Sequence, residues 1–280
     1  MTESRPGEGD RPGGGEGPPG AVRGPAVPRA VTWDLWHTLI YLDPEDEERY
    51  VRTAAEVRAH VVRQWPRRPG TREELSPEEA GQRAFLRAAD AERKGVGMSL
   101  ATQAQEAARL AGRWARPEEY IRALSRFVRD APLRESPGAR ACLARLHSKG
   151  FRIGVVSNLS GEPGEGIRRV VSDLGLAPWI EAWSLSEELP WAKPSPEIFL
   201  HCLRELGVPP ERAIHVGDHP YDILGARKAG FREAILYRGA KRYGAGYERL
   251  YRPNEPIDPA PRHVVEDLGR IPSIAEELLP

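Results

Sequence analysis

The sequence predicts an α/β protein, a doubly wound parallel sheet interrupted by a helical insertion. Short apolar, β-branched runs alternate with helical segments at the spacing of βα units, which is the signature of a parallel sheet covered on both faces. Between the first such run and the others lies a strand-poor, helix-patterned stretch, residues 44–131. Several of the runs end in residues able to do chemistry, where open parallel sheets gather their ligands.

The elements follow in chain order. The first 28 residues hold eight Gly and six Pro and almost nothing to bury, so a disordered tail is expected. That tail lacks the apolar core of a secretory signal and is too acidic for a transit peptide. The run Val31-Thr32-Trp33 reads as a short buried strand that delivers Asp34 at its end, with Thr38 four residues on. Four helices are expected in the insertion, at about 44–65, 76–94, 99–115 and 117–130. Ser76-Pro77-Glu78-Glu79 is a helix start, with Pro at the first helical position and Glu in the first turn. Pro117-Glu118-Glu119 repeats it.

The alternation then returns. A helix over 136–149 is stopped by Gly150, and a strand over 151–156 ends in Ser157-Asn158. After a Gly/Pro-rich turn comes a helix to Leu174, then a short strand over 182–185. Lys193 precedes a helix over 194–206, and a strand over 213–216 runs into Gly217-Asp218 with Asp222 beyond. A helix over 221–229 and a strand over 233–237 follow. Beyond about residue 241 the chain is Pro-rich and Tyr/Arg-containing, with an edge strand at 263–265 and a terminal helical turn at 274–279 expected.

Composition bounds the partners. With 41 basic and 41 acidic residues and no block of one sign, neither nucleic acid nor an anionic membrane is indicated. A mean hydropathy of -0.54 and the lack of a membrane-length apolar run predict a soluble protein. Only Cys142 and Cys202 occur, each among helix formers, which fits buried thiols in a reduced, cytoplasmic setting. Nothing in the sequence fixes an oligomeric state.

Asp34 with Thr38, Ser157-Asn158, Lys193, and Asp218 with Asp222 are the residue types that phosphoryl transfer needs. One carboxylate attacks, hydroxyl and amide donors hold the phosphoryl oxygens, and a Lys neutralises charge. Further carboxylates suit Mg²⁺, a hard ion that prefers oxygen. Each has an ordinary alternative: Asp34 or Ser157 capping a turn, Lys193 solvated, Asp218 and Asp222 favoured by a helix N-terminus. Together they are harder to obtain by chance.

With these pieces in that order, the chain resembles the haloacid dehalogenase-like hydrolase superfamily over residues 29–240. The matching motifs are Asp34-Leu35-Trp36-His37-Thr38-Leu39, Val155-Val156-Ser157-Asn158, Lys193-Pro194-Ser195-Pro196 and Gly217-Asp218 with Asp222. The resemblance implies a Rossmann-like core over 29–43 and 132–250, a C1-type helical cap over 44–131, and a C-terminal extension over 251–280. It implies an aspartyl-phosphate on Asp34 and Mg²⁺ held by Asp34, Asp218, the Trp36 carbonyl and Asp222. The phosphoryl group of a small phosphorylated substrate would be held by Thr38, Ser157, Asn158 and Lys193.

One departure matters. Phosphatases of this superfamily carry a second Asp two residues after the nucleophile as general acid and base, and here that position is Trp36. Losing a positioned general acid typically costs about 10²- to 10⁴-fold. Three readings follow: a phosphatase narrowed to good leaving groups or using a proton donor from the cap, His37 or His219; a metal-free 2-haloacid dehalogenase; or a phospho-ligand-binding protein without turnover. The intact Gly217-Asp218 favours the metal-dependent side. Arg49, Tyr50 and the Arg-rich cap helices are candidates for meeting an anionic substrate, and Trp36 for narrowing the pocket.

Overall fold

The first strand, β1 (Arg29–Trp33), alternates its side chains between two cores, as the pleat requires. Val31 and Trp33 enter one apolar cluster and Ala30 the other. Thr32 instead pairs its hydroxyl with His215 Nδ1, 2.8 Å away. The computed structural model to which this strand belongs describes residues 27–239 and 243–280. The Gly/Pro-rich segment expected to be disordered lies, up to residue 26, outside the described residues.

β1 pairs in parallel with β4 (Phe151–Ser157) and β6 (Ala213–Gly217). With β5 (Ala182–Leu185), β7 (Glu233–Tyr237) and β8 (His263–Val265) they form a six-stranded sheet ordered β5-β4-β1-β6-β7-β8. Every neighbouring pair is parallel. The strands are buried on both faces, hence their near-continuous apolar sequences. One face is covered by α5 (Ala139–Ser148), α6 (Gly164–Asp173) and α10 (Ile271–Leu278), through residues such as Leu143, Ile167 and Ile271. The other is covered by α7 (Pro196–Leu206) and α8 (Pro220–Lys228), through Phe199, Cys202, Ile223 and Ala226. α7 lies so close to β4 that a Cβ at Gly154 would collide with the Cys202 sulfur. Cys142 and Cys202 are free and buried, and burial pushes both thiols up to about 12.

The helical insertion leaves and rejoins the core at one place. β2 (Ile40–Tyr41) pairs antiparallel with β3 (Arg134–Glu135), tying its two ends together. Between them run α1 (Pro44–Gln64), α2 (Pro77–Arg93), α3 (Leu100–Leu110) and α4 (Pro117–Asp130). Their core sets Val62, Trp65, Tyr120 and Leu124 against alanines such as Ala80, Ala84 and Ala104, whose small side chains let the helices approach. Ser76 and Glu79 form the capping box at the start of α2. α3 is shorter than its sequence suggests: the chain turns at Gly112, whose φ of 59° belongs to the left-handed region that ends helices.

The C-terminal region holds an element the sequence pattern did not indicate, α9 (Ala245–Tyr251). β8 is the expected edge strand, and α10 begins at Ile271, earlier than its apolar pattern suggests. No helix among the described residues is long and apolar enough to cross a membrane.

Candidate active site

The Asp34 amide hydrogen-bonds to the Val216 carbonyl at 2.8 Å, which extends the β1–β6 ladder by one residue. Asp34 therefore stands at the carboxyl end of the sheet, beside Ser157 from β4 and Asp218 just past β6. After Asp34 the chain folds into a tight turn in which the Leu35 carbonyl accepts from Thr38, Leu39 and Ile40. The turn brings the Thr38 hydroxyl back to 3.4 Å from Asp34 Oδ2 and 3.2 Å from Asp218 Oδ1. Ser157 Oγ reaches Asp34 Oδ1 at 3.3 Å.

Lys193 arrives from the loop between β5 and α7 and is almost fully buried. Its ammonium donates to Asp34 Oδ1 and, at 2.6 Å, to Asp222 Oδ1. Burial opposes its charge, but the two carboxylates outweigh burial and raise its pKa. Asn158 fixes the backbone of this lysine: its amide donates to the Lys193 carbonyl at 3.0 Å and accepts from the Lys193 N–H at 2.7 Å. The sequence placed Asn158 against phosphate; in the fold both of its amide atoms orient Lys193.

Asp222 is held from three sides. Its Oδ1 takes Lys193 and lies 3.2 Å from His215 Nε2, and its Oδ2 accepts the His219 N–H at 2.9 Å. Burial pushes its pKa up, yet Lys193 and His215 hold it well below the usual carboxylate range. The carboxylate folds back over Gly217, where a Cβ would collide with it, so the Gly-Asp pair needs its glycine. His215, bonded to Thr32 on its other nitrogen, has its pKa lowered by burial.

Asp34, Asp218 and Asp222 are buried with one oxygen of each within 4.8 Å of the others. Three carboxylates face one lysine, so the site carries an excess of negative charge away from water. Burial and the neighbouring Asp34 carboxylate push Asp218 up to about 7. An all-carboxylate donor set with unbalanced charge fits a hard divalent cation. Asp218 carries one hydrogen bond on each carboxylate oxygen, from Thr38 and Tyr243, whereas Asp34 and Asp222 each carry two on Oδ1 and one on Oδ2.

The cavity above these residues is shared between core and insertion: Asp34, Trp36, Lys193 and Asp218 line it with Glu92 from α2 and Tyr251 from α9. Trp36 also borders an adjoining cavity and leans against Tyr50 of α1, ring centres 5.8 Å apart. That second cavity holds Arg58, which is 2% exposed, with its guanidinium over Phe85 and its Nε without a hydrogen-bond partner among the described residues. Tyr50 donates to Glu162 at 3.3 Å. Arg49 is on the surface, paired with Asp46.

His37 turns away from Asp34. Its φ of 57° is left-handed, its Nε2 lies 2.9 Å from Glu47, and its ring meets Tyr243 and Tyr247 edge-on. His219 accepts the Tyr221 N–H on Nδ1 and reaches the Tyr251 carbonyl at 2.6 Å through Nε2, so both nitrogens are engaged.

Sequence reasoning missed Glu92, Arg58 and the tyrosines. Tyr243 donates to Asp218 Oδ2 at 2.9 Å, and Tyr251 to Ser160 Oγ at 2.9 Å. Tyr243, Tyr247 and Tyr251 recur every four residues and stack in succession, a helical stripe visible in the sequence.

Known proteins share this architecture. Residues 28–230 match the family model described as haloacid dehalogenase-like hydrolase, and residues 190–271 match a HAD-hydrolase-like model. Phosphoglycolate phosphatase of Nitrosococcus oceani is 32% identical over 123 residues, 44% of this chain and 52% of that protein. Glyceraldehyde 3-phosphate phosphatase of Methanopyrus kandleri is 37% identical over 111 residues, 39% of this chain and 46% of that protein. The chain spans about half the length of these curated relatives. Among solved structures, 2-haloacid dehalogenase from Pseudomonas syringae superimposes with a TM-score of 0.59 at 25% identity, covering 90% of this chain and 99% of that one.

Proposed function

The chain belongs to the haloacid dehalogenase-like hydrolases, and from that premise we propose that it is a Mg²⁺-dependent phosphatase of a small phosphorylated metabolite, acting through an aspartyl-phosphate on Asp34. The observation that carries the proposal is the buried excess of carboxylate over lysine at the sheet's carboxyl end. The matched phosphatases, whose names specify small phosphomonoesters, support the substrate class. The two buried, free thiols support a reduced, cytoplasmic setting.

Each residue then has a task. The Asp34 carboxylate is the attacking group, with Lys193 and Ser157 on its Oδ1 and the long Thr38 contact on its Oδ2. Lys193 and Ser157 point their donors at the place where phosphoryl oxygens arrive, and Asp222 with Asn158 keeps Lys193 charged and oriented. Asp34, Asp218 and the Trp36 carbonyl would hold Mg²⁺, which when bound neutralises phosphoryl charge and lets the Asp34 carboxylate approach it. The helical insertion serves as a cap that closes the cavity and carries Arg58 toward a distal anionic group of the substrate.

Trp36 and the likeness to a solved 2-haloacid dehalogenase favour a second reading, metal-free displacement of halide by the same Asp34. One experiment separates the two: the purified protein is offered an acyl, an aryl and a sugar phosphate and a 2-haloacid, with and without Mg²⁺. The proposal expects phosphate release that requires Mg²⁺ and disappears in Asp34→Asn. Halide release independent of metal would replace it with the dehalogenase. Phosphate analogues bound without any turnover would leave a binding protein.

A further inference from the structure

Expelling an alkoxide from phosphorus calls for a proton, and Trp36 has none to give at neutral pH. The cavity supplies another source. We propose that Glu92, on α2 of the insertion, is the general acid that protonates the leaving group and then the base that activates water. This rests on the phosphatase reading of the site.

Glu92 is 3% exposed, yet it borders the same cavity as Asp34, Trp36 and Lys193. Its Oε1 accepts from Ser186 Oγ at 2.6 Å and its Oε2 from Ser160 Oγ. Both partners are hydroxyls, which donate or accept by rotation, so the pair accommodates a carboxylate or a carboxylic acid. Ser186 in turn accepts the Leu159 N–H at 2.8 Å, and Ser160 accepts the Tyr251 hydroxyl at 2.9 Å. Burial raises the Glu92 carboxyl to about 7 against the opposing serine bonds, within the range that suits proton transfer near neutrality. The other charged groups acting on it are Glu162, beyond β4, and Lys193; Tyr251 of α9 and Tyr221 of α8 feel its charge in turn.

The two candidate histidines are committed elsewhere. His37 faces Glu47, and both nitrogens of His219 are bonded. Glu162 also borders the cavity and burial raises its carboxyl too, against the Gly161 N–H on Oε2 and the Tyr50 hydroxyl on Oε1, so it is the alternative that the test separates.

In the first step the Asp34 carboxylate bonds to phosphorus, the phosphorus–oxygen bond to the leaving group breaks, and the Glu92 proton passes to that oxygen. In the second, water attacks phosphorus, the bond between phosphorus and the Asp34 oxygen breaks, and a proton of the water passes to the Glu92 carboxylate. Phosphate leaves, and Asp34 and the Glu92 acid are restored.

The test is single-turnover release of the alcohol from an alkyl phosphate and of nitrophenol from an aryl phosphate, with Mg²⁺. Glu92→Gln is expected to slow alkyl release by about 100-fold or more, at least about tenfold beyond its loss on the aryl ester. The alkyl rate should also lose its fall above pH 7. Glu92→Asp, which keeps the acid at shorter reach, should lose less with the same bias, and serves if Glu92→Gln does not fold. Equal losses on both esters would mean that Glu92 only holds the insertion in place, and would overturn the proposal, as would no loss. So would Glu162→Gln carrying the bias instead. A wild-type protein inert to both esters would fail the phosphatase reading itself.

Discussion

Lys193 is the cation on which the buried site balances. Its ammonium touches both Asp34 and Asp222, and all three side chains are nearly sealed from water. Removing one partner of such a cluster leaves charges that neither solvent nor protein compensates, at a cost of about 3–5 kcal/mol. Lys193→Met should therefore lower the unfolding free energy by that amount, measured by urea denaturation at neutral pH. A loss below about 1 kcal/mol would mean that the carboxylates find other compensation. At this scale the sequence was readable where reactive side chains follow strands: Asp34, Ser157, Lys193, Asp218 and Asp222 are brought together as their positions after the expected strands implied. It was opaque where a role depends on partners distant in sequence. Glu92 meets Ser160 and Ser186 only through the docking of α2 on the core, and the engagement of Asn158 with Lys193 depends on two loops meeting.

The elements show the same division. The start of α2 was legible because a capping box is local: Ser76 Oγ accepts the Glu79 N–H at 3.2 Å, and the Ser76 N–H donates to Glu79 Oε2 at 3.0 Å. Ser76→Ala should cost about 1 kcal/mol in chemical denaturation while leaving phosphate release unchanged, since the cap lies away from the cavity. A stability change near zero would show that α2 is held by packing alone. The end of α3 and the whole of α9 were harder. Helical pattern ran on past Leu110, but Gly112 and the packing of its loop stop the helix. α9 has only seven residues, too few for hydrophobic periodicity to register among the prolines around it. The tyrosines at 243, 247 and 251, the first just ahead of α9, were the available signal, and the phenols they place on Asp218 and Ser160 appear only in the fold.

For the molecule as a whole, the order of strands and helices carried most of the architecture, because parallel βα units have few ways to assemble. β1 ends at the centre of the sheet, residues following β1, β4 and β6 line one cavity, and the paired β2 and β3 tie the insertion to the core. The charge within that cavity has a global consequence. Mg²⁺ at about 100 times its dissociation constant should stabilise the fold by about 2.7 kcal/mol, seen as a rise in melting temperature. Asp218→Asn should abolish the rise, and a rise that persists would place the ion elsewhere. Asp34 itself is tested by chemical trapping. Enzyme mixed with Mg²⁺ and an acyl phosphate is quenched in acid within one turnover and reduced with borohydride, and the peptide containing Asp34 is analysed by mass spectrometry. The account predicts that the quenched peptide carries one phosphoryl group and that reduction converts Asp34 to homoserine. Phosphate released with Asp34 never modified would contradict it.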